Sequence, residues 1–327
     1  MAAGSPGALR RRPAPGRETA RTSPPLRLRH DALFHGGGAE GFAREAVPLV
    51  ERALRVDAPV LVATAEDRLA ALRERLGGAA ARVTFAEIRS LGANPARIIP
   101  AMADFLHGLP WDGPEPLAVV EAVWAERSAD ELEECRRHER LLPLAFSAGR
   151  RWRLVCPHDV DELDEETIEH ARSHHQDGGR RFTGDPAAVA AQALAGGLPP
   201  PAADAWELPF TETDLMELRS LVTGWAERED LPCEPVEELV LAVHELATNS
   251  IRHGGGAGTM RLWRRGPTLL CEVQDTGTIA DPLVGRIQPG TDPASGRGMW
   301  IANQMCDLVQ IRSNATGTHV RLHKRLA

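Results

Sequence analysis

Apolar residues in the first half of the chain follow two alternating spacings. In some segments they recur every three or four positions, which predicts amphipathic helices, and in others they form short continuous runs such as PVLVATA at residues 59–65, which predict buried strands. The predicted helices are 40–56, 66–76, 96–109, 128–146 and 161–175, and the predicted strands are 59–65, 82–88, 116–122 and 152–157. This alternation predicts a three-layer α/β unit with a mainly parallel sheet between helices.

The alternation of predicted helices and strands ends at residues 184–209. This segment is dominated by Ala, Gly and Pro and predicts a linker between two domains. Beyond it, two predicted helices precede two strands joined by a Gly-Pro turn, and a long loop, a helix and two further strands follow. Their ranges are 213–229, 234–253, 258–266, 268–275, 296–308, 309–313 and 317–325. Grouped helices and antiparallel strands predict an α+β sandwich with its helices on one face.

The length of 327 residues also favours two domains, and a 43% share of hydrophobic residues is enough for two cores. Residues 1–27 are rich in Pro, Arg and small residues, so they cannot offset the entropy of ordering and predict a disordered tail. We therefore expect this tail, a first domain at 28–178, a linker at 179–209 and a second domain at 210–327.

Charge and hydropathy narrow the classes of function. The net charge of −8 argues against a protein that binds nucleic acid directly, because such domains are usually basic. No apolar run reaches the roughly 18 residues of a membrane span, and Pro and Arg stand where a signal peptide would need an apolar segment. The five cysteines are scattered without a CxxC pair. We expect a cytoplasmic protein with protein or small-molecule partners and no membrane contact.

The helix predicted at 234–253 carries unusual polar residues. Glu245, Asn249 and His253 follow one another at intervals of four, so they lie on one face of the helix. An isolated ExxxN pattern is most often the solvated side of an amphipathic helix. Here apolar residues already supply a separate buried face, and the glycines at 254–256 end the helix at a flexible opening. This context favours a binding function for the polar face.

Three more segments carry candidate chemistry. DTG at 275–277 follows a strand, so its carboxylate can accept a hydrogen bond from an amine while the glycine lies close to a flat ring. SGRGMW at 295–300 opens a helix, where backbone N–H groups and Arg297 favour an anion. GTHV at 317–320 begins the last strand, and its Thr318 hydroxyl could reach toward the DTG carboxylate. Each segment alone is a weak signal.

In this order, the four segments over residues 210–326 resemble the GHKL ATPase superfamily, which includes gyrase, the Hsp90 chaperones, histidine kinases and bacterial anti-sigma serine kinases. The resemblance is closest to the anti-sigma kinases. It implies the GHKL (Bergerat) α+β fold, with ATP and Mg²⁺ as cofactors. It also implies a sigma factor and an anti-sigma factor antagonist as partners, and a homodimer as the usual assembly.

The resemblance also implies roles for residues on the helix. Asn249 would coordinate Mg²⁺ at the triphosphate, and Glu245 would orient or deprotonate the attacking hydroxyl as the catalytic residue. His253 matches a position that is often basic in the family, and it would support nucleotide binding.

The remaining nucleotide contacts follow from the other segments. Asp275 would bind the adenine amine, Gly277 would lie beside the ring, and Thr318 would support the adenine pocket. The residues that would contact phosphate are Gly296, Arg297 and Gly298.

Two features depart from the family pattern. Residues 278–295 lack the Gly-rich lid of typical histidine kinases, and Ala294 stands where family members often carry a basic residue. A non-catalytic, ATP-dependent partner switch therefore remains an alternative. A sensor histidine kinase is another, but the helix at 213–229 contains no histidine that could accept phosphate. The preferred interpretation is an ATP-dependent protein serine/threonine kinase that acts as an anti-sigma regulatory factor in a stress response.

The first domain has a resemblance of its own. RHDALFHGGGAEGFAREAVPLVERAL at 29–54 and CPHDVDELDEETIEHARSHH at 156–175 resemble the MEDS sensory domain of bacterial and archaeal regulators. That family is similar to a RecA-type α/β fold without its phosphate loop, and this chain has no GxxxxGK[ST] motif. The resemblance implies that a sensory domain controls the ATPase.

Several thiol and imidazole groups in this domain invite a metal hypothesis, since both are good ligands for Zn²⁺ or iron. The residues are Cys156, His158, His170, His174 and His175. Their spacing matches no recognised ligand motif, and histidines at the end of a helix usually interact with its last carbonyl groups. The sequence therefore favours helix capping over a metal site here.

Overall fold

The chain folds around two five-stranded sheets, one parallel and one antiparallel. The structure is a computed structural model, which describes residues 27–110, 112–147, 151–175, 188, 192–289 and 297–326. The strands of the first sheet are β1 (Arg27–His35), β2 (Val60–Thr64), β3 (Val83–Glu87), β4 (Leu117–Val120) and β5 (Arg151–Asp159). They lie in the order β1-β5-β4-β2-β3, and every pairing is parallel. The predicted parallel sheet is confirmed.

Six α-helices accompany this sheet within the described residues of the range 27–175. They are α1 (Gly38–Arg55), α2 (Glu66–Leu76), α3 (Ile88–Leu91), α4 (Ile98–His107), α5 (Ala129–Ala145) and α6 (Glu165–His175). Successive residues of a strand point to opposite faces, and β2 shows the consequence: Val60 and Val62 join a hydrophobic cluster with α1 and α2, whereas Leu61 and Ala63 join a cluster with α4 and α5. Helices therefore cover both faces, which explains the uninterrupted apolar run of β2.

Strand β1 was absent from the elements predicted from the sequence. It lies at one edge of the sheet and pairs only with β5 among the described strands, so most of its described residues are partly exposed. Its sequence, RLRHDALFH, accordingly lacks the continuous apolar run of a central strand.

A buried ionic network occupies the carboxyl ends of β2, β4 and β5. Arg68 donates hydrogen bonds of 2.6 Å to Glu121 and 3.1 Å to Asp159, and all three side chains are only 2% exposed. Thr64 donates a further hydrogen bond to Glu121. Open α/β sheets commonly bind ligands at this edge, but here these side chains form hydrogen bonds with one another.

The second sheet contains β6 (Trp206–Thr211), β7 (Ala257–Arg265), β8 (Thr268–Asp275), β9 (Leu308–Asn314) and β10 (Gly317–Arg325). Their order is β6-β7-β8-β10-β9, with every pairing antiparallel. The accompanying helices are α7 (Leu215–Arg228), α8 (Cys233–His253) and α9 (Arg297–Met305). Residues of all three helices share one hydrophobic cluster with the sheet. Strand β6 begins at Trp206, inside the segment 179–209 that we expected to be a linker.

The two sheet regions share an interface with buried polar contacts. Arg97, which precedes α4, donates hydrogen bonds to the carbonyl oxygens of Asn303 (2.8 Å), Gln304 (2.7 Å) and Cys306 (2.8 Å) at the end of α9. The Nδ2 atom of Asn94 donates to the carbonyl oxygen of Asn303 at 3.1 Å. A cation at a helix C-terminus is favoured by the helix dipole. The hydrogen bonds from Arg97 therefore attach the C-terminal end of α9 to the parallel-sheet region.

Helix α5 contributes a second group of contacts to this interface. The carboxylate of Glu134 accepts a 2.8 Å hydrogen bond from Arg312 of β9, and both side chains are 3% exposed. Arg286, in the segment between β8 and α9, lies 3.6 Å from the same carboxylate. One buried residue of α5 therefore contacts both the antiparallel sheet and the loop that follows β8.

Candidate functional site

Glu245 and Asn249 form the centre of the candidate site on α8. Both are half-buried, and they lie one helical turn apart. Gly298, the second described residue of α9, packs directly against them: a Cβ atom added there would lie 2.8 Å from Oε2 of Glu245 and 2.9 Å from Nδ2 of Asn249. Only glycine permits this approach without displacing the two side chains, so the predicted grouping of these three residues is present in the structure.

Asp275 lies at the end of β8 and is held from two sides. Its Oδ2 accepts a 2.6 Å hydrogen bond from the Ser250 hydroxyl on α8, and its Oδ1 accepts a 2.8 Å hydrogen bond from the backbone N–H of Gly277. Each carboxylate oxygen retains a lone pair for another donor. The carboxylate is therefore fixed in orientation and can still accept a hydrogen bond from a ligand.

Thr318 contacts the same turn, at a different atom from the one expected. It pairs with Asp275 in the ladder between β10 and β8, but its hydroxyl donates a 2.8 Å hydrogen bond to the carbonyl oxygen of Gly277. The Ser313 hydroxyl lies 2.9 Å from Thr318 Oγ1 and accepts a 2.8 Å hydrogen bond from the N–H of Ile279. Thr318 thus supports the turn after β8 while Ser250 contacts the carboxylate.

The end of α8 packs tightly against this turn. A Cβ added at Gly254 would lie 2.4 Å from Cγ of Asp275, and one added at Gly277 would lie 2.5 Å from the carbonyl oxygen of His253. Thr276 donates two hydrogen bonds to the carbonyl oxygen of Gly254, from its N–H (3.2 Å) and its hydroxyl (2.9 Å). These glycines let the helix end and the strand end meet.

The other predicted residues lie at the rim or outside the described part. His253 is exposed at the last residue of α8, and Arg297 is exposed at the first described residue of α9. Gly296 and Ala294 lie outside the described residues. The sequence interpretation did not include Ser250 and Ser313. A polar residue directly after Asn249, on a helix with an otherwise apolar buried face, was the available signal for Ser250.

The donor set is suitable for a magnesium nucleotide. Among the described residues, the side chains of Glu245 and Asn249 have no hydrogen-bond partner, which leaves a carboxylate and an amide oxygen available side by side. Amide and carboxylate oxygens are suitable ligands for Mg²⁺, which usually also keeps waters and phosphate oxygens in its shell. The Asp275 carboxylate adds an acceptor for an amine. The residues present therefore fit both cofactors implied by the sequence.

Comparison with protein families agrees with the two regions of the fold. Residues 208–324 match the model of the histidine kinase-like ATPase domain. Residues 29–176 match the model of MEDS, the methanogen/methylotroph, DcmR sensory domain. The first part of the chain is thus similar to MEDS domains and the second part to histidine kinase-like ATPase domains. All but the first two residues of the parallel sheet lie in the MEDS match. The candidate site and β7 to β10, except Arg325, lie in the ATPase match.

Solved structures with partial likeness include the RsbU and RsbW domains of Rv1364c from Mycobacterium tuberculosis, at 18% identity and a TM-score of 0.29. That match covers 37% of this chain and 32% of the other, so this chain spans about a third of that protein's length. The SiaB-SiaC complex from Pseudomonas aeruginosa matches at 11% identity and a TM-score of 0.30, covering 37% of this chain and 88% of the other. A comparison with curated proteins finds no match.

Over the described residues, the helices are too short or too polar for any of them to traverse a lipid bilayer.

Proposed function

We propose that this chain is an anti-sigma regulatory factor whose histidine kinase-like domain binds ATP with Mg²⁺ and phosphorylates a serine or threonine of an anti-sigma factor antagonist. One observation carries the proposal: Glu245 and Asn249 face Gly298 across α8 and α9, and both side chains lack a hydrogen-bond partner among the described residues. A carboxylate, a metal-binding amide and a glycine-lined helix start are groups that can support phosphoryl transfer.

Each residue has a role in this proposal. The amide oxygen of Asn249 holds the metal, and the carboxylate of Glu245 orients the acceptor hydroxyl and accepts its proton. Asp275, oriented by Ser250 and Gly277, accepts a hydrogen bond from the adenine amine. Gly296, Arg297 and Gly298 contact phosphate, with His253 and Thr318 at the edges of the site. Bound Mg²⁺ would neutralise charge on the phosphate oxygens.

The proposed acceptor belongs to another protein. Helix α7, which precedes the ATP-site helix, contains no histidine, and His244 is part of α8 itself. These features favour a hydroxyl acceptor on a separate antagonist over a histidine of this chain. A sigma factor is the second proposed partner, bound in alternation with the antagonist by a homodimer in the cytoplasm.

The first domain is proposed to control this exchange as a RecA-type sensory domain without a phosphate loop. Two contacts support control. Arg97 binds the carbonyl groups at the end of α9, whose beginning packs on Glu245 and Asn249, and Glu134 contacts Arg286 between β8 and α9. A shift of the sensory region would therefore move both α9 and the segment that precedes it.

Incubation with γ-labelled ATP, Mg²⁺ and candidate antagonists from the same genome tests the proposal. We expect alkali-labile, acid-stable label on the antagonist. Asn249→Ala should lose both ATP binding and transfer, whereas Glu245→Gln should retain binding and lose most transfer. Glu234→Gln, an exposed carboxylate in the first turn of the same helix, is the matched control and should leave both unchanged.

Other outcomes identify the alternatives. Acid-labile, alkali-stable label on a histidine of this chain would establish a sensor histidine kinase. Nucleotide-dependent binding of a partner without transfer to any antagonist would establish a non-catalytic partner switch. Unchanged ATP affinity in Asn249→Ala would contradict the site itself.

A further inference from the structure

Three potential metal ligands from distant parts of the chain meet in the parallel-sheet region. Strands β1 and β5 are neighbours, with Ala32 opposite Cys156, and His30 lies two residues before Ala32. Because alternate residues of a strand share a face, His30 and Cys156 lie on the same face of the sheet. His175 reaches this face from the last residue of α6.

The three side chains are in direct contact. Nε2 of His30 lies 3.1 Å from Sγ of Cys156 and 3.0 Å from Nε2 of His175. All three ligand atoms lie within 4.8 Å of one another. Tetrahedral bonds of about 2.05 Å to nitrogen and 2.3 Å to sulfur place ligand atoms about 3.3 to 3.6 Å apart. Two of the observed separations, 3.0 and 3.1 Å, are slightly shorter than this geometry, and the third, between Sγ of Cys156 and Nε2 of His175, is at most 4.8 Å. Side-chain rotations would bring the three atoms to tetrahedral spacing around an ion.

Hydrogen bonding fixes the form of one imidazole. Nδ1 of His175 lies 2.7 Å from the carbonyl oxygen of Ala171, so it carries the proton and donates it there. The lone pair of Nε2 therefore points toward His30. Metal-binding histidines usually donate their other N–H in this way, which fixes the ring for coordination.

Burial keeps these groups uncharged. It is the main cause that lowers the pKa of His30 to about 3, with a further contribution from His175, and it raises the pKa of the Cys156 thiol well above its usual range. Neutral imidazole is the form that binds metals. A buried thiol has little tendency to ionise alone, but a bound cation stabilises its thiolate.

We infer that His30, Cys156 and His175 form a binding site for Zn²⁺ or a chemically similar divalent cation in the MEDS domain. The cation would bind Nε2 of both histidines and the thiolate of Cys156, releasing the thiol proton to solvent. Among the described residues, no other His, Cys, Asp or Glu joins the cluster. A three-ligand site of this kind leaves one coordination position for water or a small ligand, which suits a sensory domain.

The neighbouring histidines His158 and His174 bind backbone carbonyl groups and are not ligands. The sequence alone therefore could not identify the three ligands of this site. Nδ1 of His158 lies 3.0 Å from the carbonyl oxygen of Cys156, and Nδ1 of His174 lies 3.0 Å from that of His170. The capping interpretation therefore describes His174 well and His175 only in part. The missing ligand, His30, lies 126 residues before Cys156, so no local spacing could indicate it.

Binding can be measured on the full chain without nucleotide. We expect one Zn²⁺ per chain by competition with a chromophoric chelator, with release of one proton per ion. Co²⁺ should give a near-ultraviolet thiolate charge-transfer band and the visible spectrum of a tetrahedral ion. Cys156→Ala should abolish the charge-transfer band, and His30→Gln or His175→Gln should weaken affinity on the order of 100-fold.

Matched controls distinguish this site from general thiol or imidazole binding. Cys135→Ala removes another buried thiol of the same region, and His174→Gln removes the neighbouring imidazole. Both should bind Zn²⁺ as the wild type does. A folded wild-type protein without the cobalt charge-transfer band would overturn the inference and leave a hydrogen-bonded His–Cys cluster. Because no step uses ATP, failure here leaves the proposed kinase function untouched, and the converse also holds.

Discussion

The hydroxyl of Ser250 donates a 2.6 Å hydrogen bond to Oδ2 of Asp275. This bond connects α8 to the end of β8, so the helix that carries Glu245 and Asn249 also orients the carboxylate proposed to bind adenine. The catalytic and base-binding parts of the proposed site are therefore joined through two adjacent residues of one helix, Asn249 and Ser250.

Removal of this hydroxyl tests the proposed adenine contact. Ser250→Ala leaves Asp275 with one fewer donor, and a lost hydrogen bond to a charged group costs about 1.5 to 3 kcal/mol, or about 10- to 150-fold in affinity if it is expressed fully in binding. For Ser250→Ala we expect calorimetry to show ATP affinity about tenfold lower, at the lower end of that affinity range. For Asp275→Ala we expect no detectable heat of ATP binding.

Ser220→Ala is the matched control for that measurement. Ser220 is exposed on α7, and its hydroxyl donates to the carbonyl oxygen of Met216 at 3.4 Å, which is its one hydrogen bond among the described residues. ATP affinity equal to wild type in Asp275→Ala would show that this carboxylate does not contact the nucleotide.

Gly298→Ala tests the contact between α8 and α9. The added methyl group would lie 2.8 Å from Oε2 of Glu245 and 2.9 Å from Nδ2 of Asn249, and both side chains would have to move. Alanine otherwise favours a helix by about 1 kcal/mol over glycine. We expect near-normal thermal stability together with at least tenfold weaker ATP binding or phosphate transfer.

The helical glycine Gly224 on α7 supplies the comparison for Gly298. A Cβ there meets only the end of the Arg228 side chain, at 3.4 Å. Gly224→Ala should raise the melting temperature slightly and leave ATP binding unchanged. Equal nucleotide affinity in both variants would argue against phosphate binding at the start of α9.

Hydropathy predicted most reliably the elements that are buried on both faces. Strand β2 is buried on both faces, and its sequence is a continuous apolar run. The edge strand β1 contains both exposed and buried residues, so its sequence shows no such run. Strand β6 was assigned to a linker because Pro and Ala precede it, and its WELPFT sequence is mostly exposed. Edge strands bury less apolar surface, so the pattern of apolar residues predicts them poorly.

The residues of the candidate sites also differ in how far the sequence alone could predict them. Glu245, Asn249 and Asp275 could be proposed because each stands in a recognisable local motif. The partners that orient them, such as Ser250, and the cluster of His30 with Cys156 and His175 depend on contacts between elements far apart in sequence. Such contacts are fixed by strand register and helix packing, which a single sequence does not report.

Arg97→Ala tests the proposed control of the ATPase by the first domain. The change removes three charged hydrogen bonds to the C-terminal carbonyl groups of α9, each normally worth about 1.5 to 3 kcal/mol when buried. Partial replacement by water makes a total loss of about 2 to 4 kcal/mol the reasonable expectation. Hydrogen exchange of α9 amides should accelerate, and ATP affinity should change in the full chain.

Arg89→Ala is the control for Arg97, since Arg89 forms an exposed pair with Glu126. Surface pairs contribute little, so stability and α9 exchange should remain at wild-type values. Unchanged α9 exchange in Arg97→Ala would show that these contacts do not hold the helix, and control through this route would be excluded.

Glu139→Gln tests the electrostatics of α5 through the pH dependence of stability. Glu139 is buried, and burial raises its pKa to about 7 despite the opposing charges of Arg136 and Arg140. The nearest imidazole, on His170, lies 3.7 Å away, and burial lowers its pKa to about 4, so it is neutral near pH 7. The folded protein thus holds a proton on Glu139 that the unfolded chain releases near pH 4.5. Stability from this group is complete below pH 4.5 and is lost as pH rises through about 7.

Glutamine cannot ionise, so Glu139→Gln should stabilise the protein relative to wild type increasingly from pH 5 to pH 8, by at most about 3 kcal/mol. Urea unfolding of both proteins at the two pH values measures this difference. Glu133→Gln, a more exposed carboxylate on the same helix, should show no such trend. A stability difference independent of pH would mean that Glu139 is already ionised in the folded protein at pH 5, and that Arg136 and Arg140 outweigh its burial.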